Sequence, residues 1–233
     1  MKNILFLTII LVTSCTEMLF AQFEDKQFLS GSAGINFGNT NPENVMSTNN
    51  YGYNFDISIG KFKTNTKAVG WRLTNSLGGG KSLYTTYDQT GLPKEYDKSG
   101  INNISIGAGR FWQFYKHFND KIGIFGGPGI DLTFSKAHVY EVSSDSRYIS
   151  ENKSDKIQLS VGLSAGLYYR FSEKWWVTGS IAFSNPIALD YSFLSSNTLT
   201  DDNKYKSHQL NYSLSPNFTF PSVGFGLRYF YNR

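Results

Sequence analysis

The sequence predicts an all-β chain, an eight-stranded antiparallel up-and-down transmembrane β-barrel. Three observations predict it. Apolar residues recur with period two from Phe28 onward, the period of a strand, and no convincing helical segment appears. The links between the apolar rows alternate short and long, as in a meander with two unlike ends. The polar phase is almost wholly Ser, Gly, Thr, Asn and Gln, whereas Lys and Glu gather in turns and loops. A soluble sandwich or barrel puts its polar face into bulk water, where Lys and Glu are common. Small polar residues suit the narrow lumen of an eight-stranded barrel whose apolar face meets lipid. In lipid no sheet edge is tolerated, so the strands must close.

Composition agrees. Of 233 residues, 17% are charged, against roughly 25% in soluble domains. Aromatics make up 16%, too many for a disordered chain. One cysteine excludes an internal disulfide framework and a cysteine-based metal site. The 22 Lys+Arg and 18 Asp+Glu are nearly balanced and scattered, so nucleic acid is not an expected partner. Beyond the N-terminus no apolar run approaches the ~18 residues of a membrane helix.

Residues 1–21 read as a signal peptide, and 22–233 as the barrel domain. Lys2 supplies the positive start, and Ile4 to Val12 the apolar stretch. Cleavage after Ala21 is the favoured expectation. The alternative is a lipobox, Val12-Thr13-Ser14-Cys15, with Cys15 lipidated.

The strands follow in order. Leu29, Ala33, Ile35 and Phe37 form the first apolar row, and Tyr51, Tyr53, Phe55, Ile57 and Ile59 the second. Val69, Trp71, Leu73 and Leu77 form the third; Ile104, Ile106, Ala108 and Trp112 the fourth; Ile122, Ile124, Ile130, Leu132 and Phe134 the fifth. The sixth is the cleanest, running from Ile157 to Phe171 in steps of two. Trp175, Val177, Ile181 and Phe183 form the seventh, and Val223, Phe225, Leu227, Tyr229 and Tyr231 the last. Short links are Lys61–Lys67, Tyr115–Asp120 and Ser172–Lys174. Long links are Asn39–Asn50, Gly78–Gly100, Lys136–Asp155 and Leu194–Ser207. Phe111, Trp112, Phe114 and Tyr115, then Phe171, Trp175 and Trp176, then Tyr229 to Tyr231 bunch near the short-link end, where a membrane-interface girdle is expected.

With these features the sequence resembles the small outer-membrane β-barrel proteins of Gram-negative bacteria, the OmpA-transmembrane/OmpX-like eight-stranded group, over residues 23–233. The most specific piece is the C-terminal strand, Pro221 to Tyr231, similar to the aromatic-ending signal read by the barrel assembly machinery. Asn232-Arg233 after the last aromatic depart from the usual ending. The resemblance implies export to the bacterial outer membrane. It also implies contact with outer-membrane lipid and lipopolysaccharide, and assembly through that machinery by residues 221–231. It does not imply one activity, because a fold hosts many.

Candidate sites are few. The turn near Thr64 places Asp56 opposite Arg72, giving an expected lumen charge pair of structural character. Asp131, Arg170 and Arg228 are the other charges expected in the lumen. Tyr84, Tyr87, Tyr96, Tyr140, Tyr148 and Tyr205 stand among small polar residues in the long links, a composition suited to binding. Tyr191 and Phe193 on one arm and Leu210, Tyr212 and Leu214 on the other are expected to form an exposed ribbon. The histidines are His117, His138 and His208, none adjacent in sequence to Ser184. Phe183-Ser184-Asn185 faintly resembles the His-x-Ser-Asn element of barrel lipid A deacylases, but Ala182 stands at the histidine position, and a serine without a base is a poor nucleophile. No cofactor, metal or catalytic residue is expected. The leading expectation is a monomeric, non-enzymatic structural or surface-interaction protein with an extracellular protein or glycan partner at its loops. A small pore or carrier for small or apolar molecules is the alternative, and a lipid-modifying enzyme a more distant one.

Overall fold

The computed structural model describes residues 23–40, 48–88, 90–143, 147–198, 204–215 and 224–231. The expected signal peptide, Cys15, Ala21, residues 221–223 and Asn232-Arg233 lie outside them. Among the described residues the chain is β throughout: β1 Gln27–Thr40, β2 Thr48–Thr64, β3 Lys67–Tyr87, β4 Pro93–His117, β5 Ile122–Val142, β6 Ile149–Arg170, β7 Trp175–Thr198, β8 Lys204–Leu214 and β9 Gly224–Phe230. Neighbours pair antiparallel in chain order from β1 to β7. The lower part of β7 pairs with β9, and β9 pairs with β1, which closes a ring of eight strands. The upper part of β7 pairs with β8, so β8 and β9 share the eighth position at different heights.

The apolar rows face outward. Trp71, Leu73 and Ile106 are 61%, 59% and 57% exposed, in a continuous belt with Ile57, Ile59, Leu132, Leu159 and Leu167. Water would penalise such a belt by roughly 25 cal/mol per Å2 of apolar surface, and a bilayer core does not. The belt has visible limits. On β5 the outward row runs Ile130, Leu132, Phe134 and then becomes Lys136 and His138; on β6 it runs down to Ile157 through Lys153 and Asp155. These changes mark where lipid gives way to water.

The long links differ from their sequence-based expectation. Most of Gly78–Gly100, Lys136–Asp155 and Leu194–Ser207 is strand, not loop. β4 has 25 residues and β7 24, whereas about 9–11 suffice to cross a bilayer. The surplus stands above the belt as hairpin ribbons. One is the ribbon expected from the sequence: Tyr191 pairs with Leu210, Leu189 with Tyr212 and Ile187 with Leu214. The β3–β4 ribbon ends in a tight turn in which Asp88 Oδ1 accepts from the backbone N–H groups of Thr90 (2.8 Å) and Leu92 (2.9 Å), with Gly91 at φ 81°. Only a residue without a Cβ adopts that φ freely.

The inside of the ring holds a second correction. The aromatics near the short turns divide by strand parity. Trp112, Phe114, Trp175 and Tyr229 look outward as the expected girdle. Phe111, Tyr115, Trp176 and Phe230 turn inward and join Phe28, Phe62 and Tyr168 in a buried cluster. Phe23, before the first strand, inserts from below.

Candidate functional site

The lumen is organised in layers. At the short-turn end lies the aromatic cluster. Trp176 stacks on Tyr168 at 4.3 Å between ring centroids, and Phe62 packs on Tyr115 at 4.8 Å. Phe23 meets Trp176 edge-on at 5.1 Å, held there by Asn65, whose Oδ1 accepts the Phe23 N–H at 2.8 Å. Glycines make room for the rings. A Cβ at Gly60 would collide with the Phe28 ring, and one at Gly70 with the Phe111 ring. Below the cluster, His117 Nε2 donates to the Asn65 carbonyl at 2.8 Å, which leaves Nδ1 to accept the Tyr168 hydroxyl.

Arg228 forms the next layer and is 3% exposed. Its guanidinium lies 4.0 Å from the Phe28 ring centroid and 5.6 Å from that of Phe125. It donates to the Tyr115 hydroxyl oxygen and, at 3.3 Å, to Gln113 Oε1. The Tyr115 hydroxyl in turn donates to Gln113 Oε1 at 2.6 Å. Ring faces and neutral oxygens thus take the place of a carboxylate partner.

Above it, Arg72 pairs with Asp131, with Nε donating to Oδ1 at 2.7 Å and a second, parallel bond closing the fork. This corrects the expected Asp56–Arg72 pair. The register places Asp56 opposite Thr74 and Arg72 opposite Ser58, because the β2–β3 hairpin turns at Asn65-Thr66 and not at Thr64. Arg72, Gly109 and Asp131 lie on one rung across β3, β4 and β5. Gly109 has no side chain, so Arg72 reaches over β4 to Asp131; a Cβ there would collide with the Asp131 carboxylate. Asp56 lines the same small cavity of about 190 Å3 with Arg72, Gln113, Arg228 and a set of serines and threonines. Arg170 sits lower than expected, at the short-turn rim, with Nε 3.3 Å from the Ser172 carbonyl and its guanidinium 5.8 Å from the Phe23 ring centroid.

The ribbons hold the second candidate region. Of the six tyrosines singled out in the sequence, the structure brings Tyr84 and Tyr140 together at 6.0 Å, with Tyr96 opposite Tyr84 on β4 and Lys98 5.0 Å over Tyr140. Tyr87, Tyr148 and Tyr205 stand exposed and apart. Glu151 anchors this region, receiving His138 Nε2 at 2.7 Å and Lys153 Nζ at 3.0 Å. Partial burial works against its charge, but hydrogen bonds from Lys153 and His138 hold its carboxyl below the usual glutamate range. Partial burial and the Glu151 carboxylate raise the Tyr140 hydroxyl above its ordinary value. A cleft of about 520 Å3 runs beside it, lined by Ile101, Ile104 and Phe193 together with Lys136, Lys153, Lys206 and Asp155.

Ser184 is buried and its hydroxyl has no hydrogen-bond partner. The histidines are engaged elsewhere: His117 with Tyr168 and Asn65, His138 with Glu151, and His208 with the Tyr191 hydroxyl at 2.6 Å. The sequence reading passed over one residue. Arg110 interrupts the outward row of β4 between Ala108 and Trp112, and strict parity alone reveals it.

The closed ring with its apolar belt outside and polar lumen within has a counterpart in known families. The chain matches the outer membrane protein beta-barrel domain family over residues 7–218. It belongs to that family. This outer-membrane β-barrel protein is similar to the outer membrane protein OprG from Pseudomonas aeruginosa, at 10% identity and a TM-score of 0.41, over 90% of this chain and 98% of that one. It is likewise similar to a major outer membrane protein from Thermus thermophilus, at 11% identity and a TM-score of 0.42, over 88% and 99% of the two chains. No curated protein matches it.

Proposed function

We propose that this outer-membrane barrel is a closed, non-enzymatic surface protein whose working part is the set of ribbons above the membrane, on the extracellular side. The observation that carries this reading is the filled lower lumen. Seven inward aromatics, Phe28, Phe62, Phe111, Tyr115, Tyr168, Trp176 and Phe230, are each under 9% exposed, and Arg228 packs on them through Phe28 and Tyr115. A conducting path needs water through that layer. The ribbons, by contrast, spend much of the strand length outside the bilayer and place Tyr84, Tyr96 and Tyr140 beside Lys98, a surface suited to a protein or glycan partner. The non-enzymatic part rests on Ser184, which has no base within hydrogen-bond reach among the described residues.

Planar-bilayer recording tests the reading. Pure protein is expected to give no stable unitary current, and the Phe62→Ala, Trp176→Ala double variant to give one. Stable currents from the unaltered protein would overturn it. The cleft of about 520 Å3 supports a second reading, carriage of a small amphiphile, because it sets apolar side chains beside three lysines. Saturable binding of an anionic amphiphile, lost in Phe193→Asp, would favour that role.

A further inference from the structure

We propose that Arg110, with Trp71 and Trp112, forms a phospholipid headgroup site on the outer wall of the barrel, at the leaflet nearer the short turns. Arg110 is on the lipid-facing phase of β4, level with Trp71 on β3 and Ile130 on β5. Its guanidinium lies 5.2 Å from the Trp71 ring centroid and 5.7 Å from that of Trp112. Both rings are aromatic beds that hold a cation while leaving its N–H donors free. Among the described residues no acidic side chain pairs with it. The nearby cation of the same face, Lys61, is already taken by Asp25 at 2.7 Å. Arg110 is therefore a cation without an acidic partner among the described residues, set between two tryptophan rings above the rim lysines Lys67 and Lys116.

Chemistry narrows the ligand. An arginine facing lipid is costly at mid-bilayer and nearly free near the interface, where it can reach a phosphate. Arg110 stands one pleat above the girdle residue Trp112, close enough for its stem to bend toward the interface. Its planar fork fits two phosphate oxygens at once. A groove of about 200 Å3 lies beside it, floored by Ile59, Val69 and Trp71 and bounded by Lys61 and Tyr231. A phosphodiester at Arg110 would send its acyl chains along Ile59, Leu73 and Ile106. The lipid A phosphates share this chemistry but belong to the opposite leaflet, so the proposal commits to a glycerophospholipid. It stands apart from the surface role proposed above, since the site lies on the outer wall below the ribbons.

Native mass spectrometry of the full folded chain, released from detergent with added phosphatidylglycerol or lipid A, tests this. Folding of every variant is checked by heat-modifiable migration. The unaltered protein is expected to retain phosphatidylglycerol. Arg110→Gln should retain roughly tenfold less, the scale of one charge-assisted hydrogen bond. Arg110→Lys should retain an intermediate amount, because it keeps the charge but loses the two-oxygen fork, and Lys121→Gln, a surface cation at the same end, should change nothing. Should Arg110→Gln fail to fold, Trp71→Leu carries the same expected loss. Equal retention by the Arg110→Gln and unaltered proteins, equal losses in Arg110→Gln and Lys121→Gln, or an Arg110-dependent preference for lipid A over phosphatidylglycerol would each overturn it.

Discussion

Arg72 and Arg228 solve one problem in two ways. Each is a cation inside a narrow lumen, where an uncompensated charge is costly. Arg72 takes a carboxylate across an intervening glycine, and Arg228 takes aromatic faces and a phenol oxygen. Asp131→Asn should lower the urea midpoint of vesicle-reconstituted protein by an amount worth about 1–3 kcal/mol, less than for a dry ion pair because both side chains are only partly buried. Asp56→Asn should cost clearly less. Equal effects would restore the hairpin pair expected from the sequence. Gly109→Ala should mimic Asp131→Asn, and the two should not add when combined, since both break one contact. This is also where sequence reading reached its limit. That Arg72, Asp131 and Arg228 face inward followed from parity alone. Which acid meets Arg72 depended on the hairpin turning at Asn65-Thr66, two residues out of the expected register, and on Gly109 opening the way across β4 to Asp131.

At the scale of the element, the strands divide at the membrane surface. Within lipid the apolar row runs on, Arg110 of β4 apart, and the strands were readable. Above it the same row turns into Lys136 and His138 on β5 and into Asp155 and Lys153 on β6, and the period that identifies a strand vanishes although the pairing continues. That is why the ribbons read as loops. The β5–β6 ribbon should be sensitive to acid. Because Glu151 is held below the ordinary glutamate value, its contribution is complete above about pH 4.3 and is lost as pH falls through the lower, folded value. Amide exchange, compared at pH 7 and pH 3 after correction for intrinsic rates, should show reduced protection near Glu151 at low pH. Glu151→Gln should remove most of that difference. In the wall below, Gly70→Val should destabilise by about 2 kcal/mol or more, because its side chain must displace the Phe111 ring. Chemical unfolding followed by tryptophan fluorescence reads this directly.

The whole molecule is an inverted protein with a small upright one inside it. Its wall shows apolar groups to the solvent that surrounds it, while the aromatic cluster at its base packs as a soluble core does. The aromatics near the short turns were legible as a group, but their division between girdle and cluster was not apparent, because consecutive aromatics hide the parity that separates Phe111 from Trp112. On intact cells, protease should cut the projecting part at hairpin tips such as the Asp88–Leu92 turn and spare the ribbon arms, whose backbone groups are paired. Uniform cutting along residues 78–100 would show the arms to be open loops.

One feature of the ring bears on how it would come apart. Every other neighbouring pair of strands between β1 and β7 is joined over most of its length, but among the described residues the join that completes the circle, β1 with β9, runs only from Phe28 to Gly31 against Leu227 to Phe230. A hoop fails at its shortest weld. Mechanical pulling on the two strand ends should part this latch before any other seam, leaving a curved sheet still held together from β1 through β7. The same latch, made from residues near both ends of the chain, is the last that a barrel growing in chain order can fasten.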